Sequence, residues 1–460
     1  MIMKIHHFTI NNFRKFKRQS FIFHPNFTVL IGRNATGKTQ ILDAISIVLG
    51  VYITKIFRKD KTIRSIAQEE IRVEQHVYID DNGNKQVREE IQYPVSLSAE
   101  IDYHGNHYQQ VCAKENSQGR TTFGRTSAFS KKATEDSKQI IHGEYLDLPF
   151  LAYYGSGRLW SLKKHFSNNS RVESRTSGYI DSLDPNSDIK EIQGWIKKQE
   201  LICLQRKKDV TSYQLVKEAI VAVIPGCKSV KYDVEYDYIY LEFDDGSLCP
   251  FYNLSDGFRS MVAMIADMTR RIVLLNPHMG AEALKKTSGI VLIDEIDLYL
   301  HPEWQRRVVD DLKKIFPMIQ FIATTHSPFI IQSLSSGEVI DLGECNDEVL
   351  EFNANTPHEA WPGPDKSYAG RSIEDIIEDI MGVPVPQRSQ RYQQMYDVAK
   401  EYYTLLQESK NVTPEAKKDI KAKLDELVAP FSNEVAYYAF LEMERIAVMD
   451  KSNGGKNETN

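Results

Sequence analysis

The spacing of apolar and polar residues changes several times along the chain. Residues 3–31 hold two apolar runs, KIHHFTI and FIFHPNFTVLIG, with NNFRKFKRQ between them, and predict two short strands. QILDAISIVLG (40–50) has helical spacing and stops on Gly50, a suitable helix end. From about 70 to 112 the period falls to two. One strand pair is predicted around Asp81-Asn82-Gly83-Asn84 and another around His104-Gly105-Asn106, which describes an antiparallel sheet rather than a βαβ unit. Residues 114–142 are polar and predict a mobile loop. LPFLAYYGSGRLW (148–160), SGIVLIDEIDLYLHP (288–302) and QFIATTHSPFII (320–331) predict buried strands. Charged helices are expected over 185–223, a hairpin over 229–251 and a helix over 254–278. Beyond Pro362-Gly363-Pro364 the pattern is helical to about 450. A polar tail, KSNGGKNETN, closes the chain and predicts disorder. No internal repeat is visible.

Composition narrows the class. A length of 460 residues implies one large or two modest domains. With 42% hydrophobic and 26% charged residues the chain reads as a soluble globular protein. Apolar runs fall short of the roughly 20 residues of a membrane span, and the start lacks a signal-peptide core, so no membrane partner and a cytoplasmic location are expected. The five cysteines are scattered without zinc or redox spacing, in keeping with a reducing compartment. The net charge of −6 neither advertises nor excludes a nucleic-acid partner.

Chemistry concentrates in four segments. GRNATGKT, between a strand and a helix, fits a phosphate-binding loop. Gly32, Asn34 and Gly37 shape the loop, Lys38 reaches the outer phosphates, and the Thr39 hydroxyl is placed to ligate Mg2+. In IVLIDE, Asp294 emerges at the end of a buried strand and is the second Mg2+ candidate. Glu295 is the natural general base for an attacking water. TTHSP offers His326 to the γ-phosphate or the water; alone, such a histidine reads more readily as structural. NLSDGFRS places Ser255 and Gly257 before a helix, an anion site or an ordinary helix cap. Thirty-nine residues separate Ser255 from Asp294. His104 and His107 flank a turn and read as turn residues rather than metal ligands.

In this order the four segments resemble those of the ABC-type ATPase superfamily, in the soluble branch of RecF, Rad50, SMC and OLD-family proteins. FTINNFRKF is similar to the opening strand of that branch, with Arg14 as a nucleotide contact. AYYGSGRLW, IDLYLHPEWQ and MGVP are similar to a bacterial group that includes the ATPase subunit of the Septu anti-phage system. The resemblance implies an α/β head: a parallel core sheet around the phosphate loop, an antiparallel β lobe and a helical lobe. The head would span 1–345, with the β lobe at 51–147 and the helical and signature lobe at 160–280. A helical partner-docking region would follow at 346–460. ATP with Mg2+ would be sandwiched between two heads, the loop of one copy facing Ser255 and Gly257 of the other, with Asp297 near the interface. The chain departs from the family in two ways. YYGSGR lacks the usual Gln, and Phe258 stands where an acid is common, which implies slow turnover.

The segment 160–228 is too short for a long coiled coil, and IEDIIEDI (373–380) reads as an amphipathic helix, not a nuclease site. The Septu resemblance implies a regulatory ATPase in phage defence that forms homodimers or higher oligomers and controls a separate HNH nuclease. The basic stretches 163–175 and 195–209 are candidate DNA contacts or solvated helix faces. Alternatives are a RecF-like repair ATPase that binds DNA directly, or a stand-alone OLD-like nuclease. A transporter subunit fits least.

Overall fold

The computed structural model describes residues 2–57, 64–79, 85–124, 127–157, 174–185, 189–207, 210–233, 235–236, 238–343, 368–381, 390–408, 414–431 and 435–450. The turn at 81–84, most of 163–175, Pro362-Gly363-Pro364, most of MGVP and the tail lie outside them. Two compact units divide the chain, Met1–Ile376 and Ile377–Asn460.

The first unit is α/β. Its core is a five-stranded parallel sheet of β3 (Phe27–Ile31), β8 (Phe150–Tyr154), β12 (Gly289–Ile293), β13 (Ile319–Thr324) and β14 (Val339–Asp341), in the order β14-β3-β13-β12-β8. β3, β8, β12 and β13 are buried throughout, which is why each reads as a continuous apolar run.

A second sheet is antiparallel, with order β2-β1-β6-β7: β1 (Met3–Phe13), β2 (Phe16–Ile22), β6 (Val95–Tyr103) and β7 (Asn106–Lys114). Here the expectation of two strands before the phosphate loop is corrected to three. His24, Pro25 and Asn26 interrupt the second run, so Phe16–Ile22 turns back along β1 while Phe27–Ile31 crosses into the parallel sheet. A proline has no N–H for a ladder, which favours a break there. β4 (Val73–Ile79) and β5 (Lys85–Ile91) form a separate two-stranded ribbon.

Helix α1 (Lys38–Ile56) lies between the two sheets, against β6 and β7 on one side and β12 and β13 on the other. By length and composition it is apolar enough to cross a bilayer, but 78% of its apolar window is buried inside the protein. Helix α2 (Ala128–Ile141) packs on α1 and replaces the loop expected over 114–142. The polar composition concealed it, but one face carries Phe129 and Ala133, and the Ser127 side chain caps its start. Tyr52 and Tyr103 also donate to the buried carboxylate of Asp136 on α2, at 3.1 and 2.8 Å.

The first unit also holds a set of helices that follow β8 in the chain. They are α3 (Ile189–Arg206), α4 (Thr211–Val223), α5 (Asp256–Leu275), α6 (Ala283–Lys286), α7 (Pro302–Gln305), α8 (Val308–Ile315) and α9 (Pro328–Gln332). A three-stranded sheet of β9 (Cys227–Asp233), β10 (Tyr238–Phe243) and β11 (Leu248–Pro250) stands where a hairpin was expected. Helix α10 (Ile373–Asp379) ends the first unit and opens the second. In the second unit α11 (Gln390–Glu408), α12 (Pro414–Val428) and α13 (Val435–Asp450) enclose a small core of Tyr402, Leu406, Leu424 and Leu441.

Candidate functional site

β3 delivers the chain into the loop 32–37, and α1 starts at Lys38. Gly37 precedes the helix at φ +95°, and a Cβ there would sit 2.7 Å from the Phe16 ring. No other residue fits both constraints. The Lys38 ammonium turns back over the loop and donates to the carbonyls of Gly32 (2.8 Å) and Arg33 (3.2 Å). Burial lowers its pKa, opposed by Asp294, Glu295 and Asp297, whose charges all reach it. Asn34 is exposed at the loop tip.

The two halves of the site meet at Thr39. Its hydroxyl donates to both oxygens of Asp294, at 3.0 and 3.1 Å, across 255 residues of sequence. Asp294 is nearly buried at the end of β12, and its amide donates to the Tyr154 carbonyl on β8. The neighbouring strand β13 supplies a partner that the sequence reading missed. Thr324 donates to Asp294 Oδ1 at 2.7 Å and accepts the Glu295 amide at 2.7 Å. One hydroxyl thus orients both acids. Glu295 sits at φ +50°, a sparsely populated region for a side-chain-bearing residue, where the chain swings out of the strand.

Thr325 donates to Asp297 at 2.6 Å, and the His326 amide donates to the same oxygen at 3.3 Å. His326 is exposed as a residue, but its ring is partly enclosed beside Lys38 and its amide is fixed on Asp297. Ser327 bonds Gln305, whose amide reaches the Leu300 carbonyl. The acid loop and the TTHSP segment therefore form one braced assembly. Thr324 and Thr325 were legible as the two threonines of TTHSP, but that motif was read for its histidine alone.

Ser255 caps α5 by accepting the Phe258 amide at 3.5 Å. Gly257 lies against the acid loop: a Cβ there would sit 2.1 Å from the Tyr299 carbonyl oxygen and 3.4 Å from the Leu300 Cα. Phe258 packs its ring on Trp304 of α7, with centroids 3.9 Å apart. An acid at 258 would lose this contact, which gives the departure a packing role.

Arg14, expected as a nucleotide contact, is held by carboxylates in this structure. Its guanidinium pairs with Asp43 (2.9 Å) and Glu70 (2.8 Å), in a cluster that also holds Arg64. Both carboxylates are nearly buried, so their pairing with a guanidinium is charge-assisted. The residue that reaches the loop is the next one, Lys15, whose ammonium donates to the Ala35 carbonyl at 3.2 Å.

The adjacent tyrosines of β8 link both helices of the site to the sheet. Tyr153 donates to Asp43 on α1 at 3.2 Å, and Tyr154 donates to Asp267 on α5 at 2.9 Å. Successive side chains on a strand face opposite ways, so one strand serves both helices.

The chain is 24% identical over 397 residues to "Retron Vc95 probable ATPase" of Vibrio cholerae serotype O1 biovar El Tor, covering 75% of this chain and 74% of that one. It is 35% identical over 133 residues to "Septu protein PtuA" of Bacillus thuringiensis, covering 29% of this chain and 32% of that one, so the match spans about a third of that relative. Among solved structures it is similar to the SMC head domain from Thermotoga maritima, with a TM-score of 0.41, 12% identity, and coverage of 74% of this chain and 94% of that one. The family described as "AAA domain, putative AbiEii toxin, Type IV TA system" matches residues 27–332, a span that includes the phosphate loop, the Ser255 segment, both acids and TTHSP. The chain belongs to this family and is an ATPase.

Proposed function

We propose that the chain binds ATP with Mg2+ in this site, hydrolyses it between two heads, and so controls a separate nuclease in anti-phage defence. The observation that carries the reading is the Thr39 hydroxyl held on both oxygens of Asp294. A hydroxyl after the loop lysine and a carboxylate at a strand end form a hard-oxygen pair suited to Mg2+.

The loop fits a triphosphate. The Thr36 hydroxyl is buried without a hydrogen-bond partner among the described residues and could donate to a phosphate oxygen, while the likewise unpartnered Gln40 side-chain oxygen could accept from a water of the cation. Lys38 would hold the outer phosphates, and Thr39 and Asp294 the cation. Bound there, Mg2+ supplies charge neutralisation for phosphoryl transfer. Glu295 takes the proton of the attacking water, and His326 orients that water or the terminal phosphate. Ser255 and Gly257 act on the other copy's nucleotide, as the resemblance to ABC-type heads implies, and the amides at the start of α5 suit an anion.

The defence role and the nuclease partner, of HNH type, rest on the retron and Septu names of the relatives and on the Septu-like motifs. The helical unit Ile377–Asn460 is the surface we assign to that partner.

ATP binding and turnover test the site. Lys38→Ala should abolish binding. Glu295→Gln should retain binding, stop hydrolysis and accumulate an ATP-bound dimer. Normal turnover by Glu295→Gln would remove Glu295 from the base role. For the partner, a pull-down from native cells after a salt wash should retain a stoichiometric nuclease; recovery of DNA alone would redirect the reading to a repair ATPase.

A further inference from the structure

Phe13 pairs with Phe16 across the hairpin of β1 and β2, so its turn is two residues long, Arg14 and Lys15. Turns of this length favour glycine or asparagine where φ is positive. Here Arg14 itself stands at φ +49°, with Asn12 at φ +49° just before it. Backbone held in this region persists only where its surroundings over-determine it, and such positions gather at ligand clamps. The surroundings are on the page. The Arg14 amide donates to the Glu70 carbonyl at 2.6 Å and the Arg72 amide to the Asn12 carbonyl at 2.9 Å. The Arg72 guanidinium donates to the Lys15 carbonyl at 2.9 Å. The Arg14 side chain adds its pairs with Asp43 and Glu70.

This fixed turn lays Lys15 on the phosphate loop. The side chain crosses Gly37, where a Cβ would sit 2.9 Å from the Lys15 Cε and 2.7 Å from the Phe16 ring. Its ammonium lies 5.4 Å from the centre of that ring and donates to the Ala35 carbonyl at 3.2 Å. Two ammonium groups therefore rest on one loop, Lys38 on the carbonyls of Gly32 and Arg33 and Lys15 on that of Ala35. They are within electrostatic reach of one another. Burial lowers the Lys38 pKa, Asp294, Glu295 and Asp297 oppose this, and the Lys15 charge adds to it. Two like charges held this near favour an anion beside them. A phosphate oxygen is also a stronger partner for an ammonium than a neutral carbonyl. Lys15 is exposed, and its long stem lets the head pass from Ala35 to a phosphate lying on the same loop.

We propose that Lys15 is a second phosphate-binding residue of the ATP site, reaching the nucleotide from the β1–β2 turn while Lys38 reaches it from α1. This rests on the reading of the loop as an ATP site. Of the two adjacent cations, Arg14 anchors the turn and Lys15 serves the nucleotide.

The test uses the full chain and Mg2+-ATP. Lys15→Met keeps the stem against Gly37 and Phe16 and removes the charge. Calorimetric titration should show ATP bound at least about tenfold more weakly, with the melting temperature in the absence of nucleotide unchanged. Lys38→Ala is the control for the site. If Lys38→Ala fails to bind and Lys15→Met binds within twofold of the parent, Lys15 is not a contact and the ATP site stands. If Lys38→Ala binds as the parent does, the site reading fails and the assignment of Lys15 falls with it. A second measurement separates contact from bracing of the loop through Ala35. The parent is treated with formaldehyde and dimethylamine borane, at concentrations where sedimentation shows a monomer, and methylation of Lys15 is followed by peptide mass spectrometry. ATP should slow it in the parent and leave it unchanged in Lys38→Ala. Weakened binding by Lys15→Met without that protection would make Lys15 a brace and overturn the proposal. Should Lys15→Met misfold, the protection of the parent decides alone.

Discussion

Gly257, at the start of α5, lies so close to Tyr299 that a Cβ would be 2.1 Å from the Tyr299 carbonyl oxygen. The signature helix and the acid loop are thus in backbone contact within one subunit, and any shift of one moves the other. Gly257→Ala forces them apart. Overpacking of this kind costs roughly 1–3 kcal/mol. Urea unfolding should report a loss in that range, with ATP turnover falling as well. Ser255→Ala is the comparison: its cap bond is long at 3.5 Å, and losing it should cost no more than about 1 kcal/mol. Equal stability of Gly257→Ala and the parent would show that the contact is easily relaxed.

Thr324 has a separate consequence. Its hydroxyl donates to Asp294 and accepts from the Glu295 amide, so it fixes the direction of the first carboxylate and the backbone of the second. Thr324→Val keeps the shape and removes both bonds. Loss of an outer-sphere partner of this kind typically lowers metal affinity or activity by roughly 10- to 100-fold. ATP hydrolysis titrated with Mg2+ should show a raised half-saturation concentration. A lower maximal rate with unchanged Mg2+ dependence would assign Thr324 to Glu295 alone.

These residues mark the limit of what was legible in advance. The parallel core could be read because strands buried on both faces are apolar without alternation, as in IVLI and FIAT. The loop could be read because Gly37-Lys38-Thr39 has strong local constraints. Helix α2 could not, because its buried face is short and its surface polar, and only the Ser127 cap signals its start. The division of Phe16–Ile31 between two sheets depends on long-range pairing, which periodicity does not encode. Arg14 and Lys15 are adjacent basic residues, and only the folded positions of Asp43 and Glu70 decide that Arg14 pairs with carboxylates while Lys15 bonds the loop carbonyl of Ala35. The pairing of Tyr153 and Tyr154 with carboxylates on opposite faces has the same origin.

Asp267 offers a stability test. It is nearly buried on α5 and accepts from Tyr154 (2.9 Å), Arg270 (3.1 Å) and Arg271 (2.7 Å). Burial works against its charge, but Arg271 and Arg270 prevail and hold its carboxyl below the ordinary value. Asp267→Asn leaves the arginines without their counter-charge, and breaking a buried pair typically costs about 3–5 kcal/mol. The pH sign follows from the depressed pKa. The contribution is present above the unfolded carboxyl's range and lost as pH falls through the folded value. Stability of the parent should therefore decline in acid, and Asp267→Asn should decline less over the same interval. Parallel curves would mean that other carboxylates carry the acid dependence.

His326 gives the matching prediction for activity. Partial enclosure of its ring lowers its pKa below 6.5, and the Lys38 charge adds to this; Asp297, Glu295 and Asp294 act in the opposite direction without reversing it. The folded protein therefore disfavours the imidazolium, and at neutral pH the ring is neutral and able to accept a hydrogen bond. Its part in turnover is present above the folded pKa and lost as pH falls through it. The kcat/KM profile for ATP should show an acid limb with its midpoint below 6.5, and His326→Gln should lower the plateau while removing that limb. Because the proton is disfavoured in the fold, the parent should also lose some stability below pH 6.5 relative to His326→Gln. An unchanged limb in His326→Gln would assign the titration elsewhere and leave the histidine's neighbours, Thr325 and Asp297, as the functional part of that segment.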